Sequence, residues 1–352
     1  MKITKILVAL SFLFTTVTAS AGELSVTGSM ETTYQSKSAQ TTGNPLGMDK
    51  ELKFSGSTEL DNGITVSVMQ DTGEAAANVP VFGNSQIAFG NIMLPMLSDT
   101  IGGMTIYIGS DSDPVDSVDD VTPTAYEEAN GSGAGSYVDI GKNAGSTGIG
   151  IKLDLPLVGA LNYKHYPRVD STESGDNSTS GVSNTIGGGK SVTLVTDMGA
   201  IDPMLAGLSL TTAYADRDNK GGVLEDSVEA SAALNYSYGP IKVGYQKKYN
   251  NTGQTGTGAT DTAPEYKDDI IGIAYAVNDA LSISYNQIES YKFGADLTAG
   301  DQKANTQKTK AISIGYAIGG MTIGFQDAKT DHSGYVLNAE GDSRTLGLSV
   351  AF

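Results

Sequence analysis

The chain has 352 residues, a net charge of −18 and no cysteine. The acidity argues against nucleic acid as a partner, because binding to phosphates depends on Lys and Arg, and it favours cationic partners. The lack of cysteine excludes a disulfide scaffold and thiol chemistry.

The N-terminal segment has the three parts of a secretory signal peptide. Lys2 and Lys5 form a short positive region, an apolar stretch covers residues 6–14, and Ala19 and Ala21 supply small residues for cleavage. The apolar stretch is too short to be an uncleaved membrane helix, which needs about 20 residues. We therefore expect residues 1–21 to be removed, which leaves a mature chain, residues 22–352, with a net charge of −20.

Apolar and polar side chains alternate along most of the mature chain, which is the pattern of strands with two different faces. The last segment is clear, since Leu346, Leu348, Val350 and Phe352 alternate with small residues. Sixteen such segments are predicted as strands. They cover residues 23–34, 50–60, 64–72, 85–92, 103–110, 147–155, 160–168, 190–197, 207–216, 226–238, 241–249, 266–277, 280–289, 308–318, 321–329 and 343–352.

The connections between these segments alternate in length. Short ones, such as 61–63 and 319–320, contain the Gly, Asn and Asp of tight hairpin turns. Long polar ones cover residues 35–49, 73–84, 111–146, 169–189, 217–225, 250–265, 290–307 and 330–342. Because this alternation is typical of membrane barrels, the predicted fold is all-β. It is a 16-stranded antiparallel transmembrane β-barrel with short periplasmic turns and long extracellular loops, and a secreted sandwich or solenoid is the alternative.

The two faces of the predicted strands also differ in a way that suits a membrane. One face carries Leu, Ile, Val, Phe or Tyr, whereas the other is rich in Gly, Ala and Ser. A soluble sandwich would place many Lys and Glu on its outer face. The observed composition favours an apolar face toward lipid and a small, polar face toward a water-filled lumen.

The signal peptide, the sixteen segments and the C-terminal stretch from Leu346 to Phe352 together resemble the general-diffusion porins of Gram-negative bacteria. The resemblance covers the whole mature chain and rests on architecture and termini rather than on internal motifs. It implies an outer-membrane homotrimer in contact with outer-membrane lipid and lipopolysaccharide, with passive diffusion of small hydrophilic solutes and ions through the pore. It also implies that the assembly machinery reads Phe352 and that the third long loop, residues 111–146, folds into the lumen.

The third loop is rich in acidic residues and has one basic residue, Lys142. Fixed like charges in a narrow lumen concentrate counter-ions, so we expect an acidic constriction that favours cations, although a solvated acidic loop is the alternative. The predicted constriction residues are Asp111, Asp113, Asp116, Asp119, Asp120, Glu127 and Glu128.

The porin resemblance implies a cluster of arginines opposite the acidic loop. This chain departs from that pattern, because it has only three arginines. The candidates for a basic pore wall lie at strand positions whose side chains should point into the lumen, which we call lumen parity. Each of them could instead lie at the mouth of the pore without a role in selectivity. They are Lys53, Lys152, Lys164 and Arg168.

No resident cofactor is expected, and catalysis finds little support. Ca²⁺ could bind the clustered aspartates of the third loop, because it prefers carboxylate and carbonyl oxygens. The only histidines are His165, which has lipid-facing parity, and His332 in a loop, so a histidine-assisted nucleophile in a cleft is not supported. The chain is therefore not expected to be an enzyme. Two further functional alternatives are a substrate-specific nutrient channel and a surface β protein without a pore.

Overall fold

A computed structural model describes most of residues 22–352. The described residues are 23–38, 44–73, 81–93, 101–110, 113–135, 137–169, 186–219, 225–253, 264–293 and 306–352. The predicted signal peptide and the candidate residue Asp111 lie outside them.

Sixteen strands form one closed antiparallel barrel, in which each strand pairs with its neighbours in the chain and β1 pairs with β16. The predicted fold class is therefore confirmed. The strands are β1 (Glu23–Lys37), β2 (Leu46–Glu59), β3 (Thr65–Gly73), β4 (Val81–Ile92), β5 (Gly103–Gly109), β6 (Gly148–Leu155), β7 (Gly159–Tyr166), β8 (Ile186–Asp197), β9 (Leu208–Asn219), β10 (Ser227–Tyr238), β11 (Ile241–Asn251), β12 (Glu265–Ala276), β13 (Leu281–Phe293), β14 (Thr306–Ile318), β15 (Met321–Asp331) and β16 (Glu340–Ala351).

Among the described residues, helical structure is confined to the connections. The turn between β8 and β9 contains a four-residue helix, Met198–Ile201, and a 3₁₀ turn, Pro203–Leu205. Other 3₁₀ turns are Asp116–Val118, Asn130–Ser132 and Ser333–Tyr335. Within the described residues, no helix has the length and apolar character needed to cross a membrane.

The outer face of the barrel is apolar and uncovered. Ile273, Ile314 and Leu346, which have the predicted outward parity, are 45%, 39% and 52% exposed. Leaving such side chains in water costs about 25 cal/mol per Å² of apolar surface, a cost that lipid removes. A closed barrel with this exterior is a membrane barrel, which agrees with the predicted outer-membrane localisation.

Many strands extend further toward the long loops than the apolar alternation predicts. β1 ends at Lys37 instead of residue 34, β13 ends at Phe293 instead of residue 289, and β16 begins at Glu340 instead of residue 343. Beyond the apolar band, the outward positions carry charged side chains that form ion pairs between neighbouring strands. The hydrogen-bonded strands therefore continue past the point where the apolar and polar residues stop alternating. These exposed pairs are Lys190–Asp216, Lys247–Asp269, Lys308–Glu289 and Arg344–Asp327.

β7 is shorter than predicted. It ends at Tyr166, whereas the sequence predicts a strand to residue 168. Pro167 follows directly, and proline has no backbone N–H to donate to a ladder. Arg168 therefore lies beyond the strand and is exposed, which corrects its expected place on the strand.

Candidate functional site

The third long loop, described for residues 113–135 and 137–146, lies inside the barrel. Near its C-terminal end, Asn143 Nδ2 donates to Ser191 Oγ of β8 at 3.2 Å. In its middle, the Tyr126 hydroxyl donates to Glu31 Oε1 of β1 at 2.7 Å. Both partners have lumen parity, so the loop lies inside the barrel and reaches from β8 to β1.

Amide side chains of the wall satisfy the backbone of this loop. Gln246 Nε2 donates to the carbonyl oxygens of Val118 at 3.1 Å and Asp119 at 2.6 Å. Gln326 Nε2 donates to the carbonyl oxygen of Glu127 at 2.7 Å. Because a buried backbone group without a partner is costly, these lumen-facing amides help to fix the path of the loop.

Two apolar clusters also hold the loop against the wall. Ile270 and Ile288 have lumen parity, yet both are fully buried, because the loop covers them. The first cluster contains Ala129, Ala134, Ile270, Ile288, Ala311 and Ala328, with Tyr137 packed against it. The second contains Val115, Val118, Ile140, Ala213 and Ala215, with Val121 packed against it.

Lumen-facing glycines let the loop approach the wall closely. A Cβ atom at Gly315 would collide with the carbonyl of Ala125, and one at Gly324 would collide with the ring of Tyr126. Similar collisions with loop residues 122–126 would occur at Gly244, Gly272 and Gly347. The glycines of the inner face thus form a groove that accommodates the loop. This role adds to the one expected from the sequence, which is to suit a curved wall.

Three of the predicted constriction acids are buried and stabilise the loop itself. Asp113 Oδ2 accepts from the backbone N–H of Asn143 at 3.2 Å, and burial raises its pKa. Glu128 Oε1 accepts from the backbone N–H of Thr122 at 2.7 Å, and burial raises the pKa of Glu128 to about 8. Asp119 is the third buried acid. Sequence reasoning could not separate these structural acids from those exposed to water.

Lys248 of β11 gathers three carboxylates of the loop. Its ammonium lies 2.8 Å from Asp119 Oδ1, 3.3 Å from Asp139 Oδ1 and 3.6 Å from Asp120 Oδ1, and its side chain is only 2% exposed. Burial raises the pKa of Asp119 to about 7, although the nearby Lys248 opposes this rise. The sequence shows the lumen parity of Lys248 but gives no sign of this contact.

Among the described residues of the loop, fewer of the predicted constriction acids are exposed to water than expected. Asp116, Asp120 and Asp139 are exposed, and Glu127 is half-buried. Burial raises the pKa of Glu127 to about 7, with smaller contributions from the negative charges of Glu31 and Asp120. We call Asp116, Asp120, Glu127 and Asp139 the acidic edge of the loop.

Two of the four predicted basic residues lie on barrel strands and are at least partly exposed. Lys53 of β2 is half-buried and borders a cavity of about 500 Å³ together with Thr27 and Glu51. Lys152 of β6 is exposed, and its ammonium lies 5.4 Å from the ring centroid of Tyr107. The contacts of the loop lie on β7–β16 and β1, so we expect the aqueous path to run between the loop and β2–β6.

The other two predicted basic residues occupy different positions. Lys164 of β7 faces inward as predicted, but it is fully buried, with its ammonium 4.8 Å from the ring centroid of Tyr166. It is therefore covered and does not line open water, which corrects its predicted place on the pore wall. Arg168 lies past the end of β7 and does not join this wall.

Comparison with solved structures identifies the fold. No family model and no curated protein matches the sequence. Among solved structures, an anion-selective porin from Comamonas acidovorans aligns with a TM-score of 0.64 at 12% identity, covering 94% of this chain and all of that one. The fold is that of the sixteen-stranded porins.

Other porin-fold structures agree over the same extent. The outer membrane channel DcaP of Acinetobacter baumannii aligns with a TM-score of 0.59 at 10% identity, covering 94% of this chain and 98% of that one. A Rh. blastica porin variant aligns with a TM-score of 0.57 at 16% identity, covering 94% of this chain and all of that one. At these identities the likeness shows the fold, so ion preference has to be argued from the residues of this chain.

Proposed function

We propose that this chain is an outer-membrane porin through which small hydrophilic solutes and ions diffuse passively, with a preference for cations. The observation that carries the proposal is a loop folded inside a closed sixteen-stranded barrel, with its acidic edge turned to the lumen. A barrel of this size leaves an aqueous channel. The relatives named above are porins and a channel, and no enzymatic role is proposed.

The charges along the path favour cations. The acidic edge supplies four carboxylates that are at least partly exposed, whereas Lys53 and Lys152 are the two predicted basic wall residues that are not buried. Fixed negative charges in a narrow, low-dielectric passage concentrate cations. A trimer, contacts with outer-membrane lipid and lipopolysaccharide, and recognition of Phe352 by the assembly machinery remain part of the proposal.

Neutralising the acidic edge should lower the preference for cations. We expect the variant Asp116→Asn/Asp120→Asn/Glu127→Gln/Asp139→Asn to conduct, with its reversal potential in a KCl gradient reduced by about half or more, because the third loop loses four fixed acidic groups. The measurement is a planar-bilayer recording of purified, folded protein. The matched control, Asp61→Asn/Asp279→Asn, removes acids from short turns and should keep the wild-type value.

Two other results of the same recording would contradict the proposal. A folded barrel without conductance would contradict the pore, and an unchanged reversal potential would contradict the role of the acidic edge. Current that saturates with a single solute would instead support a substrate-specific nutrient channel.

The preference for cations should also depend on pH. Burial raises the pKa of Glu127 and that of Asp119 to about 7, so each carboxylate loses its charge as the pH falls through that value. The reversal potential should therefore decrease when the pH is lowered from roughly 8 to roughly 6, a range in which an unperturbed carboxylate stays ionised. A constant reversal potential across this range, or an increase at the lower pH, would contradict the assignment.

A further inference from the structure

Two turns at the short-turn end of the barrel, the predicted periplasmic end, expose apolar side chains. The turn between β6 and β7 carries Leu157, which is 68% exposed, and Val158. The turn between β8 and β9 carries Ile201 and Met204, of which Met204 is 91% exposed. We call these four residues the apolar turn patch. The other fully described turns of this end carry only Gly, Pro, Asn and Asp, at residues 61–63, 239–240, 278–279 and 319–320.

The two apolar turns are neighbours. β7 pairs with β6 on one side and with β8 on the other, so the two hairpins lie next to each other in the wall. A Cβ atom at Gly159, directly after the first turn, would collide with the carbonyl oxygen of Val195. The first turn therefore contacts the strand end from which the second turn starts.

Leu157 occupies a turn position that favours glycine or asparagine. The backbone N–H of Val158 donates to the carbonyl oxygen of Leu155 at 3.0 Å, which closes a β-turn around Pro156 and Leu157. The φ angle of Leu157 is 69°, and a leucine in this left-handed conformation is strained. Because its side chain is also exposed, Leu157 is unfavourable in water on two counts, which indicates a contact outside the chain.

Hydrogen bonds keep the second turn in an ordered conformation. Asp197 Oδ1 accepts from the backbone N–H of Gly199 at 2.9 Å, at the start of the helix Met198–Ile201. Asp202 Oδ1 accepts from the backbone N–H of Met204 at 2.9 Å, at the start of the following 3₁₀ turn. An ordered backbone therefore presents Ile201 and Met204 to the surroundings.

The patch continues the lipid-facing surface of the same hairpins. Ile149 and Ile151 are exposed on the outer face of β6, and Leu153, Leu155 and Leu157 follow at intervals of two residues. The outward residues Leu208 and Leu210 of β9 come soon after Met204. Neither turn contains Lys or Arg, so an acidic partner would find no attraction there. Lipid requires only apolar surface, and it already covers the adjoining wall.

We propose that the apolar turn patch inserts into the membrane leaflet on the short-turn side, at the boundary between the phospholipid headgroups and the acyl chains. Apolar side chains of surface-bound segments enter this boundary by about 5–10 Å. Insertion would anchor the barrel beside β6–β9, whereas its polar turns stay in water. This inference rests on the proposed contact of the barrel with outer-membrane lipid, and it does not depend on whether the pore conducts.

Tryptophan fluorescence tests the insertion directly, because the chain contains no tryptophan. The variant Met204→Trp, folded into phospholipid vesicles, carries its sole fluorophore in the patch. We expect phosphatidylcholine that is brominated near the headgroup end of its acyl chains to quench this emission by about half or more, since the indole would lie at that depth.

Two matched variants give the reference values. Asp279→Trp places the fluorophore in the polar turn between β12 and β13, where we expect quenching of less than about a tenth. Ile273→Trp places it on the lipid-facing wall, where bromine deeper in the acyl chains should quench most strongly.

The comparison separates the patch from the rest of the barrel. Quenching of Met204→Trp no stronger than that of Asp279→Trp would overturn the proposal. A blue-shifted emission of Met204→Trp without quenching would also overturn it, because protein and not lipid would then cover the patch. Absence of quenching for Ile273→Trp would instead contradict the proposed lipid contact of the barrel itself.

A substitution at Leu157 provides a second test, in which the sign of the effect is informative. Asn adopts the left-handed conformation more readily than Leu, so Leu157→Asn should stabilise a turn that lies in water. A turn that lies in the membrane should lose stability, because a polar side chain replaces an apolar one. We expect Leu157→Asn to lower the urea concentration at which the protein unfolds from phospholipid vesicles. An unchanged or higher midpoint would overturn the placement of Leu157 in the membrane.

Discussion

Replacing Gly315 and Gly324 together with alanine is expected to push the third loop away from the wall, into the aqueous path on its other side, and to lower the single-channel conductance. The new Cβ atoms would collide with the carbonyl of Ala125 and the ring of Tyr126. The carbonyl belongs to backbone that wall side chains hold in place, so the collision cannot be relieved by a rotamer change alone. Overpacking of this kind costs about 1–3 kcal/mol, which is enough to shift a docked loop.

The expected conductance decrease is roughly twofold, because the displaced loop would fill more of the lumen between itself and β2–β6. The matched control is Gly90→Ala in β4. Gly90 belongs to the same barrel wall, but a Cβ there would make only an ordinary contact with Thr105, so wild-type conductance is expected. Unchanged conductance in a folded Gly315→Ala/Gly324→Ala barrel would show that the groove does not position the loop.

The outward-facing residues of the barrel could be predicted from the sequence, because all of them face the same environment, the lipid. Every lipid-facing position meets the same apolar solvent, so Ile273, Ile314 and Leu346 follow a strict parity that needs no knowledge of the fold. The strand count and the closure of the barrel follow from that parity together with the alternation of short and long connections.

The inner face could not be predicted to the same extent, because its partners come from a distant part of the chain. Ile270 has lumen parity and would be unfavourable in water, but Ala129 and Ala134 of the loop cover it. The adjacent pair of apolar residues, Ile270 and Ile271, breaks the alternation and was the available signal for a covered patch. Identifying what covers it requires the three-dimensional path of residues 113–146.

The sequence could not show which acids of the loop are buried and which are exposed, for the same reason. Asp119 and Asp120 are neighbours in the sequence, yet the side chain of Asp119 is 11% exposed and that of Asp120 is 48% exposed. Only the approach of Lys248, more than a hundred residues away, turns Asp119 toward the wall. Composition therefore predicts an acidic loop, whereas the contacts with the wall decide which acids face permeating ions.

Lys248 keeps Asp119 buried against the wall. Replacing Lys248 should lower the stability of the protein more than any other substitution proposed above. Lys248→Met would leave Asp119 buried without a positive partner. Breaking a buried ion pair from one side costs about 3–5 kcal/mol, so we expect the variant to unfold at a lower denaturant concentration in detergent. We also expect its third loop to become sensitive to protease, because the loop can escape the cost only by leaving the wall or by protonating its carboxylates.

The neighbouring lysine provides a matched control, since the strand turns Lys247 to the opposite face. Lys247 is 57% exposed and pairs with Asp269 at 3.1 Å, and surface pairs of this kind contribute about 0–1 kcal/mol. Lys247→Met should therefore unfold close to the wild type. The double variant Lys248→Met/Asp119→Asn should recover part of the lost stability, because it removes the uncompensated charge, and the size of this recovery measures the coupling between the two side chains. Equal stability of Lys248→Met and Lys247→Met, or no recovery in the double variant, would mean that the loop is held by its apolar clusters and the glycine groove alone.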